Sequence, residues 1–211
     1  MTRPGAGANR HLVVGLTGSS GSGKSEAAKI LKGLGARLID ADEVAREVLK
    51  KREALAELVA EFGDWVVDGQ GNYNRAPVSE KAFSDTGFLK RLTEITHKYI
   101  IKEIDRRMRE LQAGIGGYII VIDAPIPVER GFLDVSDYVW VVKSPREHKL
   151  GRIIARDGIS PGAAKARLMS QLPDAEYEKL ADEVIENNSG LDQLKCEIKK
   201  LYAKIVKDLQ F

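Results

Sequence analysis

One octapeptide, GSSGSGKS at residues 18–25, restricts the possible folds of this chain more than any other feature. It fits the pattern GxxxxGK[ST], follows the apolar run HLVVGLT at 11–17, and opens a helical pattern near Lys24. Glycines in such a loop let backbone N–H groups turn toward a phosphate, and the start of the next helix adds a positive dipole end. The sequence therefore predicts a nucleotide-binding loop in an α/β domain, in preference to a turn that binds nothing.

The loop also predicts roles for single side chains. We expect Lys24 to be exposed in the empty loop and to reach the β- and γ-phosphates of ATP, and the Ser25 hydroxyl to ligate Mg²⁺. The predicted ATP-binding residues of the loop are Gly18, Ser19, Ser20, Gly21, Ser22, Gly23, Lys24 and Ser25.

Further apolar runs predict the rest of the fold. Strands are expected at 36–40, 118–123, 137–143 and 183–186, and helical patterns cover 42–62, 88–112 and 191–209. Strands that alternate with helices predict a parallel sheet with helices on both faces. The stretch 42–117 is too long for one crossover helix, so it should contain a helical insertion. We expect a single domain over 1–211.

Composition excludes several classes of partner. The formal charge is only +2, from 33 Lys and Arg against 31 Asp and Glu, so no strong field attracts nucleic acid or an anionic membrane. Cys196 is the only cysteine, which rules out an internal disulfide and fits a reducing cytoplasm. The first ten residues lack the apolar run of a signal peptide, and no stretch is long enough to span a membrane. Oligomeric state is left open.

A phosphate loop alone does not define a reaction, because GTPases, motor ATPases and small-molecule kinases share it. The chain contains no guanine-selecting NKxD segment. Its size, a second carboxylate near the loop and a late arginine-rich segment favour a kinase. An ATP-binding protein without catalytic activity remains the alternative from another class.

The phosphate loop is followed along the chain by IDAD at 39–42, FGDWVVDGQGNYNRAP at 62–77, PIPVE at 125–129 and RDGISPG at 156–162. These motifs and the segments around them resemble the dephospho-coenzyme A kinases. They occur in the order typical of that family and span roughly 12–190, although Ser19 and Ser20 replace a usual glycine and isoleucine. The resemblance implies a P-loop kinase fold with five parallel strands, and transfer of the γ-phosphoryl group of ATP to the ribose 3′-hydroxyl of dephospho-coenzyme A. A related kinase acting on a nucleotide or another small metabolite is the alternative. The matching segments are 15–49, 62–85, His97, 125–129, 156–171 and 181–187.

The resemblance also implies an internal organisation of the domain. The core covers about 11–62 and 118–211, a helical substrate-binding insertion covers about 63–117, and a mobile lid covers about 156–172.

Two carboxylates are candidates for the chemistry. Asp42, in the segment IDAD, matches the catalytic base that the family is thought to use, and a carboxylate there could accept the proton of a ribose hydroxyl. Its alternative role is the N-cap of a helix starting at Glu43. Asp123 ends the third strand and could hold a magnesium-bound water, or simply cap a loop.

The remaining candidates are basic. Arg152 and Arg156 share one face of a predicted helix, and Arg156 opens the lid segment, so we expect both to contact ATP and Arg156 to be catalytic. Solvated surface charges are the alternative. Arg75 and His97 match family positions and, with Asp42 and Arg167, are assigned to the substrate; His97 could instead be a packed helical histidine.

Overall fold

The computed structural model describes residues 11–114, 117–124 and 135–209. Segment 125–129, which contributed to the family resemblance, lies outside these residues. All strands of the described residues join one sheet in the order β2-β3-β1-β4-β5, and every pairing in it is parallel, as predicted. The strands are β1 (Leu12–Thr17), β2 (Arg37–Asp40), β3 (Ile119–Asp123), β4 (Tyr138–Lys143) and β5 (Glu183–Glu186).

Helices follow most of the strands. In the described part of the chain, no helix is long and apolar enough to cross a membrane. The helices are α1 (Lys24–Gly33), α2 (Ala41–Val48), α3 (Arg52–Phe62), α4 (Arg75–Ser84), α5 (Thr86–Gln112), α6 (Arg146–Asp157), α7 (Pro161–Met169), α8 (Asp174–Glu178) and α9 (Leu191–Lys207), with a short 3-10 helix at Asp64–Val66.

The structure corrects the sequence prediction between residues 42 and 62. The apolar spacing there indicated one helix, but α2 ends at Val48 and α3 begins at Arg52. Lys51 precedes α3 in an extended conformation, with φ −79° and ψ 131°. Its ammonium group donates to the Glu103 carboxylate on α5 at 2.5 Å. A partner 52 residues away in the chain leaves no trace in local spacing.

Contacts divide the chain into two compact units. The sheet unit contains the described residues before Ala41 and after Arg109, and the helical unit is Ala41–Arg109. The core of the sheet unit lies between the sheet and helices α1 and α9, with Leu16, Leu31 and Ile198 fully buried. Burial of all six residues of β1 explains its continuous apolar run, because helices cover parallel sheets on both faces.

The helical unit has its own apolar core and one buried carboxylate. Glu103 on α5 is only 4% exposed, and it accepts hydrogen bonds from Lys51, Arg106 and Arg107. Hydrogen bonding to Arg106, followed by the bonds from Lys51 and Arg107, holds the pKa of Glu103 far below its ordinary value. The apolar core of the unit is formed by Leu58, Val66, Val78, Phe88 and Ile95.

Candidate active site

The phosphate loop joins β1 to α1 in a conformation that requires glycine. Gly21 and Gly23 have φ angles of 77° and 104°, in the left-handed region that other residues rarely adopt. A Cβ on Gly21 would lie 2.6 Å from the Lys149 carbonyl oxygen, and one on Gly23 would lie 2.1 Å from Asn187 Nδ2. Both positions therefore need glycine for their backbone angles and for the close approach of neighbouring groups.

Several loop N–H groups remain available for a ligand. Those of Gly23, Lys24 and Ser25 donate to no acceptor within the described residues. They lie at the start of α1, where helix N–H groups lack partners in the helix and the dipole favours anions. This arrangement fits the phosphates of a nucleotide.

Helix α6 fixes the loop through Arg152, which the sequence predicted to contact ATP. Nη1 of Arg152 donates to the carbonyl oxygens of Gly21 and Ser22 at 3.1 and 3.2 Å, and to Ser144 Oγ at 3.2 Å. Its Nη2 reaches the Asn187 carbonyl oxygen at 3.4 Å. The guanidinium group thus binds the loop backbone from outside.

Asn187 joins the same network. Its Nδ2 donates to the Ser22 carbonyl oxygen at 2.8 Å, and its own carbonyl oxygen accepts from Ser144 Oγ at 2.7 Å. Asn187 follows β5 directly, so the end of that strand holds the second half of the loop. Asn187 has no predicted role from the sequence, where it only ends the matching segment 181–187.

Three further residues that the sequence analysis missed hold the first half of the loop. Lys149 is buried; its Nζ donates to both Asp174 carboxylate oxygens at 2.8 and 2.6 Å and to Ser19 Oγ at 3.2 Å. Ser19 Oγ in turn donates to Asp174 Oδ1 at 3.0 Å. Gln171 Oε1 accepts from the Ser20 backbone N–H at 2.8 Å. Helical spacing offered one signal, because Lys149, Arg152 and Arg156 lie at positions i, i+3 and i+7 of α6.

Lys24 occupies a different environment from the one predicted. Its ammonium group forms an ion pair with the Asp123 carboxylate at the end of β3, and its side chain is only 14% exposed. The expectation that Lys24 is exposed in the empty loop is therefore wrong. The parallel register brings β3 beside β1, so that Asp123 pairs with Leu16 one residue before the end of β1. The strand order thereby joins two predicted site residues.

The donor groups present also fit a magnesium ion bound together with nucleotide. Among the described residues there is no group of three or more His, Cys, Asp or Glu side chains that could hold a metal. Mg²⁺ in kinase sites needs fewer protein ligands, because phosphates and waters complete its octahedron. The exposed Ser25 hydroxyl in the first turn of α1 and the Asp123 carboxylate are suitable oxygen donors.

The two predicted lid arginines lie together in the sheet unit. Arg156 lies in the last turn of α6, next to Asp157, which ends the helix, and its Nη2 reaches Ser20 Oγ of the loop at 3.5 Å. Arg167, in the last turn of α7, forms an ion pair with the same Asp157 carboxylate. Gly158 separates the two helices in a left-handed conformation, with φ 63°. Two guanidinium groups therefore meet at one carboxylate.

The other predicted residues belong to the helical unit. Asp42 is exposed and lies in the first turn of α2, which begins at Ala41. Its alternative assignment as the N-cap of a helix starting at Glu43 is therefore wrong. His97 is half-buried on α5 and makes no side-chain hydrogen bond within the described residues.

Arg75, the first residue of α4, lines a cavity of about 540 Å³ in the helical unit. Arg46 and Lys50 also line it, and none of these three cations forms an ion pair with a described residue. Two carboxylates are present as well, of which Glu47 is paired with Arg107. The other lining residues are Glu43, Leu49, Asn72 and Tyr73.

Comparisons with known proteins agree on one family. The family model for dephospho-CoA kinase matches residues 12–193. A dephospho-CoA kinase from Corynebacterium glutamicum is 38% identical over 195 residues, covering 92% of this chain and 100% of its relative. Among solved structures, TT1252 from Thermus thermophilus matches with a TM-score of 0.77 at 28% identity, covering 92% and 98% of the two chains. Dephospho-CoA kinase from Campylobacter jejuni matches with a TM-score of 0.61 at 29% identity, covering 92% and 96%. The chain belongs to the dephospho-CoA kinase family.

Proposed function

We propose that this protein transfers the γ-phosphoryl group of ATP to the ribose 3′-hydroxyl of dephospho-CoA, the final step of coenzyme A synthesis. The observation that carries the proposal is the family match over residues 12–193, which includes the phosphate loop and nearly the whole chain. A phosphate loop with free N–H groups at the start of α1 supports it independently.

At the donor end, the loop N–H groups and Lys24 hold the phosphates of ATP. Lys24 exchanges Asp123 for phosphate oxygens when ATP binds, and Asp123 and Ser25 would be the oxygen donors that hold a magnesium ion there. Magnesium bound there would draw negative charge from the transferring group. The guanidinium group of Arg156 stabilises the negative charge that develops on the transferring phosphoryl group in the transition state.

At the acceptor end, Asp42 orients the 3′-hydroxyl and accepts its proton. The three unpaired cations of the helical cavity, Arg46, Lys50 and Arg75, suit the diphosphate of dephospho-CoA, since guanidinium groups bind phosphate oxygens in pairs. His97 and Arg167 are assigned to the substrate on the family resemblance.

The domain organisation is proposed on the same basis. The insertion at about 63–117 carries the substrate, and the segment at about 156–172 closes over ATP as a lid. A reducing cytoplasm is the proposed location of the reaction, because the single Cys196 is an exposed free thiol.

A coupled ADP-release assay tests the function. We expect turnover with dephospho-CoA and little with nucleoside monophosphates or pantetheine. Faster turnover with a nucleoside monophosphate would favour a nucleotide kinase, and binding of ATP without turnover on any acceptor would favour a non-catalytic protein.

A further inference from the structure

Asp157, a residue without an assigned role, accepts from both lid arginines. Arg156 donates through Nε to Oδ1 at 2.7 Å and through Nη2 to Oδ2 at 2.9 Å, and Arg167 pairs with Oδ2. The carboxylate is 22% exposed, against 58% and 47% for the two arginines. Asp157 is thus the least exposed of the three residues, and both arginines bind to its carboxylate.

The charges in this cluster explain why a carboxylate is needed there. Two guanidinium groups repel each other when they lie close together, and an anion between them removes that repulsion. The hydrogen bond from Arg156 lowers the pKa of Asp157 and raises that of Arg156. Asp157 and Arg156 are therefore both charged at neutral pH.

Hydrogen-bond geometry determines which donors of Arg156 remain available. A guanidinium group has five N–H donors in a rigid plane. Asp157 uses Nε and one side of Nη2, while the contact to Ser20 Oγ places Nη2 beside the phosphate loop. Nη1 makes no hydrogen bond to a described residue and is left for a ligand.

We propose that Asp157 is a positioning residue, which anchors Arg156 between itself and Arg167 so that Arg156 stays at the phosphate loop and reaches the transferring phosphoryl group. This inference rests on the proposed kinase function. Exposed ion pairs contribute little to stability, so the carboxylate acts on the geometry of the arginines more than on folding. Small displacements of a charged group around a reacting centre can reduce rates on the order of 10²-fold.

The test compares Asp157→Asn, Asp157→Glu and wild type in the ADP-release assay with dephospho-CoA. We expect kcat to fall about 10-fold in Asp157→Asn while KM for ATP changes less than about 3-fold, and Asp157→Glu to recover most of the rate. Glu178→Gln is the control, because Glu178 is a carboxylate of the same unit that is also ion-paired, with Lys143, although it is more exposed, at 39% against 22% for Asp157. It should leave kcat unchanged.

A double variant shows whether Asp157 acts through its partners. Asp157→Asn should reduce kcat clearly less in an Arg167→Ala background than in wild type. Arg167→Ala has already removed one of the two groups through which Asp157 acts. Fully additive effects, a kcat for Asp157→Asn within about 2-fold of wild type, or an increase in kcat would each overturn the proposal.

A nucleotide-binding readout separates this proposal from the function itself. ADP with aluminium fluoride mimics the transferring phosphoryl group, and it should bind about 10-fold more weakly to Asp157→Asn in calorimetry, without any acceptor. If wild type failed to phosphorylate dephospho-CoA but this difference held, only the proposed function would be wrong. Equal binding by both proteins would overturn the role of Asp157.

Discussion

Lys24 combines a catalytic prediction with a structural one, because it is ion-paired with Asp123 inside the empty site. Lys24→Ala should reduce kcat on the order of 10²-fold or more, since it removes a charge that acts on the transferring group. It should also lower the thermal midpoint, because removing one partner of a largely buried pair is destabilising. Lys29→Ala is the control: Lys29 is an exposed lysine of α1, paired with Glu26. Normal turnover by Lys24→Ala would refute the phosphate-loop assignment.

Asp42 gives the sharpest test among the single residues, because α2 begins at Ala41 and Asp42 is therefore not the N-cap of that helix. Asp42→Asn keeps the shape of the side chain but loses the proton acceptor, so kcat should fall on the order of 10²-fold or more. In the first turn of α2 the negative charge adds a small dipole contribution, and asparagine keeps the size and hydrogen-bonding ability of the side chain, so the thermal midpoint should change little.

Glu53→Gln is the matched control for Asp42→Asn, since Glu53 is an exposed acidic residue in the first turn of α3. Both variants should lose the same small dipole contribution, and only Asp42→Asn should lose turnover. Near-normal kcat in Asp42→Asn would remove Asp42 from the catalytic residues.

At the scale of elements, α6 supports the phosphate loop through Arg152. Arg152→Lys retains the charge but cannot reproduce four hydrogen bonds from one planar group. We expect the free energy of unfolding of the ligand-free protein to fall by about 1–3 kcal/mol and KM for ATP to rise about 10-fold. Arg146→Lys, at the exposed start of α6, serves as the control. If the thermal midpoint of ligand-free Arg152→Lys were unchanged while KM for ATP rose, a direct contact between Arg152 and ATP would be favoured instead.

Helix α5 holds the helical unit together through the buried carboxylate of Glu103, which makes the stability of that unit dependent on pH. The pKa of Glu103 is lower in the folded protein than in the unfolded chain, so its contribution is complete above the unfolded value of about 4.3 and is lost as the pH falls below it. Glu103→Gln should cost about 1–3 kcal/mol at pH 7, and this cost should decrease steadily as the pH falls below about 4 toward the lowered pKa of the folded state.

Denaturant unfolding at several pH values would measure this dependence. Asp105→Asn is the control, because Asp105 is an exposed carboxylate on α5, paired with Arg109. An equal loss at pH 7 and pH 3 would show that the charge of Glu103 contributes nothing.

For the molecule as a whole, the elements with a repeating local signal were predictable. The sequence indicated all five strands of the described sheet. The central strands β1, β3 and β4 are nearly continuous apolar runs because helices cover the sheet, whereas the edge strands β2 and β5 are short and only partly buried. The break between α2 and α3 was missed, since apolar spacing continues across it and no glycine or proline interrupts it. At the break, Lys51 contacts Glu103, a partner that lies far away in the sequence.

The site was predictable only in part, for a related reason. Residues in a motif with a known mechanism, such as Lys24 and Ser25, could be named from the sequence. Lys149, Gln171 and Asp174 could not, because they contact Ser19 and Ser20 across more than one hundred residues of chain. The pairing of Lys24 with Asp123 depends likewise on strand order.

The contacts between α6 and the phosphate loop restrict how chimeric kinases can be built from this chain and a relative. An octapeptide transplanted from another nucleotide-binding protein would arrive without Arg152, whose contact with Gly21 spans 131 positions of sequence. It would also face Asn187, which tolerates no side chain at position 23. A functional chimera must therefore exchange residues 18–25, α6, residues 171–174 and the end of β5 together, so the smallest portable unit is a set of four chain segments.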